Sequence, residues 1–253
     1  MFTYSLKIIP GTQQYVQTEI AKKFPAVSII SISPSKIIIQ SDTPDIFSFQ
    51  SLLSPLSITN DQKYSLCLYK RSWRTHTLPA SLNPSLAYIL CQIAHLQPTD
   101  TIYDPFCGCG TIPITVAQYF STRQIFGSDL SGKAIDCCQT NLSQAISPIH
   151  QKITFFRSNI SMIKLRPSSI DKIITNLPFG IRVGDHLNNQ KIYRIFRDKT
   201  NSLLASTGIG IILTQEKKLF YEIFRTKFKV TRVATIEQGG LAPDIFMIKK
   251  LLQ

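Results

Sequence analysis

The chain has no apolar run approaching the roughly 20 residues that a membrane-spanning helix needs. Its first residues, Met1 to Lys7, lack the charged-then-apolar layout of an export signal. These absences set the expectation of a cytoplasmic protein with no membrane partner. Internal repeats and low-complexity runs are also missing. Acidic residues are scarce: 15 Asp and Glu stand against 28 Lys and Arg, a net charge of +13. That surplus suits a polyanion, RNA first, although solubility alone would be served equally well. Charged residues make up 17% and hydrophobic ones 43%, which argues against disorder. A chain of 253 residues has room for one large domain, or for a catalytic domain with a small appendage. The six cysteines include no C-x-x-C pairs, so no metal is expected. Cys107 and Cys109, like Cys137 and Cys138, sit too close for ordinary disulfides, and small buried thiols are expected. His76 has no acidic neighbour in sequence and gives no catalytic signal.

What is present is concentrated in two stretches. Asp104-Pro105-Phe106-Cys107-Gly108-Cys109-Gly110-Thr111 follows an apolar strand ending, Thr101-Ile102-Tyr103, and turns into a helix starting near Ile112-Pro113. Glycines at a strand-to-helix turn permit unusual φ values and let a ligand approach the backbone. Pro113 suits the first helical turn, where a missing N–H costs nothing. A nucleotide-type cofactor is the natural occupant. No Gly-Lys-Ser/Thr follows and the G-x-G-x-x-G spacing is absent, so the phosphate-loop reading fails. The second stretch, Asn176-Leu177-Pro178-Phe179-Gly180, ends a buried strand, Ile173-Ile174-Thr175. Such a corner suits a planar amino group: the Asn176 side-chain oxygen and the Leu177 carbonyl accept its two N–H bonds, and Phe179 stacks on the ring. An ordinary Asn-Pro turn is the plainer reading of that piece alone.

Together the two stretches resemble the S-adenosylmethionine-dependent RNA methyltransferases of the THUMP-associated group, which methylate the exocyclic N2 of guanosine in tRNA or rRNA. The resemblance runs from about Lys70 to the C-terminus. It implies an α/β fold with a Rossmann-like class I methyltransferase sheet, S-adenosyl-L-methionine as cofactor, and RNA as partner, tRNA before rRNA. It also implies cofactor contacts from Asp104, Phe106, Gly108, Gly110, Thr111, Leu130, Ile160 and Asn176, with Ser81 and Leu82 on an approach segment over the pocket. Pro178 belongs to the catalytic corner with Asn176, Leu177 and Phe179. Arg182 falls where the family often has a basic residue beside the target nucleotide; a plain surface arginine is nearly as good a reading.

In order along the chain, Thr3 to Ile9 reads as a strand ending at the turn dipeptide Pro10-Gly11, and Thr12 as cap of a helix with Tyr15, Val16, Ile20 and Phe24 inward. Val27 to Ile32 and Lys36 to Gln40 read as strands, and Pro44 to Leu53 as a second helix. This order resembles the family's N-terminal ferredoxin-like part. The family usually places a THUMP domain next, and the sequence leaves no room for it before Tyr64 to Tyr69. Residues 1–64 are therefore expected as an N-terminal domain, 65–83 as linker and approach segment, and 84–253 as the methyltransferase domain. Asn83 and Pro84 open a helix as N-cap and first helical residue. From Thr101, strands and helices alternate as in a doubly wound sheet.

Asp129 ends the strand Ile125 to Ser128, about twenty residues past the glycine turn, the offset of an acid that holds ribose hydroxyls. Helix N-cap is its alternative role. Asn159 follows the strand Ile153 to Phe156; the family usually has Asp there for the adenine amine, and Asn could accept through its carbonyl. Ile192 to Leu203 reads as a helical stripe ended by Gly208, with strands at Ile209 to Leu213, Lys227 to Ile236 and Ile245 to Ile248. Between Lys191 and Arg232, ten basic residues face Asp198, Glu216 and Glu222. Arg194, Arg197, Lys227 and Lys229 are the expected phosphate contacts. The reaction expected is methylation of an exocyclic amine in RNA, guanosine N2 in tRNA first. An rRNA guanine-N2 enzyme, a DNA or RNA adenine-N6 enzyme, and an RNA-binding module with an inactive cofactor site stand as alternatives.

Overall fold

A computed structural model describes residues 1–79, 81–145, 152–179 and 186–251, the side chains of residues 186 and 187 excepted. Two sheets organise the chain. The first is antiparallel throughout and joins β1 (Phe2–Lys7), β2 (Ser28–Ser33), β3 (Lys36–Ser41), β4 (Ser57–Asn60) and β5 (Ser65–Cys67) in the order β2-β3-β1-β4-β5. Alternation decides its faces: Tyr4, Leu6, Ile37, Ile39 and Ile58 point to one side, where Val16 and Ile20 of α1 (Gln13–Lys23) close the core. The sheet runs past residue 64, because Ser65–Cys67 pairs with Ser57–Thr59.

Two local expectations give way here. Thr12 does not cap α1 through its side chain; its hydroxyl donates instead to the Ile9 carbonyl at 2.6 Å. The stretch Pro44 to Leu53 is not a full helix but a single 3-10 turn, Ile46–Phe49. Asp45 caps that turn by accepting the Phe47 N–H at 2.9 Å. The buried Glu19 carboxylate then takes the N–H groups of Leu53 and Ser54, at 2.9 and 2.8 Å, which diverts the backbone from further helical bonding.

The second sheet has the order β11-β12-β10-β9-β6-β7-β8. Its strands are β6 (Thr101–Asp104), β7 (Gln124–Asp129), β8 (Ile153–Arg157), β9 (Ile170–Asn176), β10 (Leu204–Thr214), β11 (Phe228–Thr235) and β12 (Asp244–Lys250). The first five run parallel, and β12 is antiparallel to both its neighbours. One face carries α2 (Pro84–Ile93), α3 (Thr111–Tyr119) and α4 (Gly132–Ser143); the other carries α5 (His186–Leu203) and α6 (Lys217–Phe224). Asn83 caps α2 as expected, accepting the Ser85 N–H at 2.8 Å. Gly208 does not end α5. The helix stops at Leu203, Leu204 pairs directly with Ile170, and the register shifts before Ile209. A Cβ at Gly208 would lie 2.9 Å from the Leu204 side chain, so the bulge requires glycine.

The first sheet is seated on the second. Gly11, at φ +90°, lies so close to β11 that a Cβ would stand 2.0 Å from the Thr235 carbonyl oxygen. The Glu237 N–H donates to Pro10 O at 3.1 Å, Ser85 Oγ donates to Pro55 O at 2.9 Å, and Arg71 reaches Leu53 O at 2.8 Å. No helix of the described residues is long and apolar enough to cross a membrane.

Candidate cofactor and acceptor site

Strand order reverses between β6 and β9, and ligands of open α/β sheets bind where that reversal opens a crevice at the strand ends. A cavity of about 620 Å³ lies there, walled by the ends of both strands. The turn after β6 holds Gly108 and Gly110 at φ +52° and +77°. A Cβ on Gly110 would stand 2.9 Å from the Phe155 ring, so this glycine lets α3 start tight against β8. Gly108 has nothing within 4 Å of where its Cβ would be, and its open side borders the cavity. Its N–H donates to Asp129 Oδ2 at 3.0 Å.

Asp129 is not the cap of α4. That role belongs to Ser131, whose hydroxyl accepts the Ala134 N–H at 3.4 Å. Asp129 instead braces two backbone amides, Gly108 on Oδ2 and Ser131 on Oδ1 at 2.9 Å, and lines the cavity with Leu130. Each carboxylate oxygen keeps lone-pair capacity for a hydroxyl. Asp104 is buried at the end of β6. It accepts the Thr175 hydroxyl at 2.6 Å and the Phe106 N–H at 3.1 Å, yet burial pushes its carboxyl up to about 7. A positive group bound beside it would restore the charge.

The corner after β9 is held from behind. The Leu177 N–H is tied to Leu213 O at 3.0 Å. The Pro178 carbonyl accepts the buried Tyr193 hydroxyl at 2.9 Å and, at 3.4 Å, the Asn189 amide. Tyr193 Oη also meets Thr214 Oγ1 at 2.8 Å, and Thr214 Oγ1 accepts the Glu216 N–H at 3.1 Å. The proton order follows: Thr214 donates to Tyr193, and Tyr193 donates to Pro178. In front, Asn176 Oδ1 is buried with no hydrogen-bond partner among the described residues, an acceptor left open where buried polar groups are ordinarily satisfied. Phe179 is half-buried beside it in the cavity wall.

The approach segment is anchored by Asn141, which accepts the His76 N–H at 2.9 Å and donates to the His76 and Cys109 carbonyls, each at 3.0 Å. Ser81 and Leu82 reach the cavity wall, as do Phe106, Thr111 and Ile160. Asn159 lines the cavity too, but its carbonyl already accepts the Ser161 N–H and hydroxyl, both at 3.0 Å. Its amide hydrogens remain as the group it offers.

The basic residues lie elsewhere. Arg182 falls outside the described residues. Arg194 is exposed on α5. Arg197 and Lys227 both bind Asp198, at 2.9 and 2.8 Å. Burial would raise that carboxyl, but the two cations hold it below its usual value. Lys229 lies across from Lys249, at the end of the sheet opposite Thr235, Asp244 and Thr214. Sequence reasoning missed a further wall: Gln238, Gly239, Leu241 and Pro243, between β11 and β12, line the cavity. The Gly239-Gly240 pair is a turn signal that goes unread in the sequence, and it does not say what the turn faces.

The cysteines also depart from expectation. Cys109 on the glycine turn is disulfide-paired with Cys137 on α4, because α4 packs its buried side directly under that turn. The sequence reading compared neighbours within each short pair and not across the two.

Known proteins resemble this chain in sequence and in fold. A bovine tRNA (guanine(6)-N(2))-methyltransferase, THUMP3, is 30% identical over 192 residues, which cover 71% of this chain and 38% of the relative. The tRNA (guanine(6)-N2)-methyltransferase of Methanocaldococcus jannaschii is 23% identical over 246 residues, 82% of this chain and 64% of the relative. The chain thus spans about two fifths of the bovine protein's length. Among solved structures, TrmN from Thermus thermophilus superposes with a TM-score of 0.84 at 17% identity, covering 99% of this chain and 100% of that one. SMU.472, solved with SAH, superposes at 0.79 and 13%, covering 100% and 99%. At these identities the superpositions establish the fold. Residues 71–242, which hold both the glycine turn and the Asn176 corner, match the family described as "RMKL-like, methyltransferase domain", and the chain belongs to that family.

Proposed function

We propose that the protein methylates the exocyclic N2 amine of a guanosine in tRNA, using S-adenosylmethionine. The observation that carries this reading is Asn176 Oδ1: a buried acceptor beside the Leu177 carbonyl, without a partner among the described residues, in the wall of a cavity suited to a nucleoside cofactor. The cavity's donor set fits that cofactor. Asp129 offers carboxylate oxygens for ribose hydroxyls, and Gly108 leaves backbone open to close approach. Asp104 is a buried carboxyl whose ionisation a cationic amino group would favour. S-adenosylmethionine supplies an electrophilic methyl on sulfur, and transfer needs an in-line nucleophile rather than strong acid–base help.

The chain's part is to orient and to strengthen the amine. Two acceptors, Asn176 Oδ1 and Leu177 O, draw the two N–H bonds and favour a pyramidal nitrogen whose lone pair leaves the ring. As positive charge develops on that nitrogen, the same oxygens stabilise it. Phe179 offers its ring to a base flipped from its stack. The THUMP3 and Methanocaldococcus relatives carry guanine-N2 tRNA names, which supports the choice of acceptor.

The test is incubation of the protein with mixed RNA and a labelled methyl donor, followed by nucleoside analysis. N2-methylguanosine in the tRNA fraction is expected. Label in N6-methyladenosine would replace guanine with adenine in this reading, and cofactor binding without transfer to any RNA would remove the enzyme assignment.

A further inference from the structure

Four of the six cysteines converge on the cofactor turn. Cys107 and Cys109 flank Gly108, and Cys137 and Cys138 approach from α4. They sort into two pairs. Cys109 is bonded to Cys137, while Cys107 Sγ lies 3.7 Å from Cys138 Sγ. The second pair stays as thiols: Cys138 donates to Gly108 O at 3.0 Å, and burial, with the Cys138 contact, pushes the Cys107 thiol well up. A protonated thiol is a poor attacker, so Cys107 does not scramble its neighbour. Cys107 and Cys109 both line the cavity, each nearly buried in its wall. Cys109 lines the cavity, where Ser81 Oγ contacts its sulfur at 3.6 Å, whereas Cys137 stands behind it with the Asn141 amide 3.7 Å away.

We propose that Cys109–Cys137 is a reversible oxidation site that gates cofactor binding, its substrates being small-molecule dithiols and disulfides that enter through the cavity. On reduction, a reagent thiolate attacks Cys109 Sγ and the Cys109–Cys137 bond breaks. Cys137 leaves as a thiolate beside the Asn141 amide and takes a proton. The reagent's second thiol then displaces Cys109 and closes the reagent's own disulfide, so two electrons and two protons pass to the protein. The consequence falls on the turn. With the bridge closed, α4 holds Cys109 and so fixes Gly108 and Gly110 in the left-handed conformations that the cavity wall needs. With it open, the Asn141 bond to the Cys109 carbonyl is the main remaining tie of that residue to α4. Gly108 keeps its bonds to Asp129 and Cys138, so preorganisation is weakened rather than lost, and affinity should drop about three- to tenfold.

Linkage demands the reverse effect. S-adenosylhomocysteine should shift the pair's redox equilibrium toward the disulfide by the same factor, and by filling the cavity it should slow attack on Cys109. This rests on the methyltransferase reading, and the experiment separates the two. Affinity for S-adenosylhomocysteine is measured by calorimetry on the full chain, after mild oxidation with glutathione disulfide and after reduction with dithiothreitol. Free thiols are counted by alkylation and the bridge is mapped by mass spectrometry. Tighter binding in the oxidised form is expected, lost in Cys137→Ser and kept in Cys67→Ser, which removes an exposed cysteine on β5. Equal affinity in both forms, six free thiols after oxidation, or a bridge mapped to Cys107–Cys138 would each overturn the gate. Absence of binding in either form sinks the methyltransferase reading, and the gate with it.

Discussion

Tyr193→Phe removes one oxygen atom and little else, which makes it a clean probe of the acceptor corner. The ring keeps its packing against Phe220, 6.4 Å away between centroids. What goes is the donor to Pro178 O at 2.9 Å and the acceptor for Thr214 Oγ1 at 2.8 Å. Both surviving groups are then buried and short of a partner, since Asn189 reaches Pro178 O at only 3.4 Å. Leaving such groups unmet costs about 1–3 kcal/mol. The cheapest relief is rotation of the corner, which carries Leu177 O and Asn176 Oδ1 off the acceptor amine. If that energy appears in the transfer barrier, the single-turnover rate falls about 10- to 100-fold, each tenfold being about 1.4 kcal/mol. Asp104 and Asp129 lie on other strands and keep their bonds, so affinity for S-adenosylhomocysteine should stay within about twofold. The assay pairs single-turnover methyl transfer, with tRNA and cofactor saturating, against calorimetry. A variant that is thermally weakened yet transfers at full rate would show that the corner does not need the hydroxyl. A parallel loss of cofactor affinity would show general damage instead.

Asn176→Ala should abolish methyl transfer while cofactor affinity changes little, checked by the same two measurements; an active variant removes the residue from the chemistry. Asp129→Ala should weaken S-adenosylhomocysteine by about 1.5–3 kcal/mol, the scale of charge-assisted hydrogen bonds, and normal binding would reduce Asp129 to a brace for Gly108. The Asp104 carboxyl, pushed up to about 7 by burial, lies above its unfolded value near 4. Its contribution to stability is therefore full below about pH 4 and is lost as pH rises through about 7, so the melting temperature of the ligand-free protein should fall across that window. Affinity for the cationic amino group should rise between about pH 6 and 8, and Asp104→Asn should flatten both trends. Joint charge reversal of Arg194, Arg197, Lys227 and Lys229 tests RNA docking through the salt dependence of affinity. Because Asp198 already offsets Arg197 and Lys227, the slope should flatten by clearly less than the roughly four units that four free phosphate contacts imply, and a full loss would show that Asp198 yields to RNA.

Both halves of the candidate site were legible because each is contiguous: a glycine turn and an Asn-x-Pro-aromatic corner carry their chemistry within eight residues or fewer. The doubly wound sheet was legible from alternation alone. The support of the corner was not. Tyr193 read as part of a helical stripe, Asn189 and Thr214 fell outside the elements read, and nothing in their local pattern shows that they converge behind the Pro178 carbonyl. Glu19 read as one polar position of an amphipathic helix, although it is buried and decides where the chain after Phe49 stops being helical. Asn159 was given a free carbonyl because sequence does not show that Ser161, two residues on, consumes it. Apart from that local turn, each miss is a hydrogen bond whose partner is chosen by packing rather than by neighbours in sequence.

The seat of Gly11 on Thr235 has a consequence for anyone building chimeras. Pro10 and Gly11 press on Thr235 to Glu237, and the cavity wall begins one residue later, at Gln238. The N-terminal sheet and the cavity rim are thus two sides of a single stretch of chain, with no spacer in which a hinge could sit. An N-terminal unit grafted from a relative would bring its own footprint to that stretch. It would reshape the pocket unless residues 235–243 travelled with it as part of the graft.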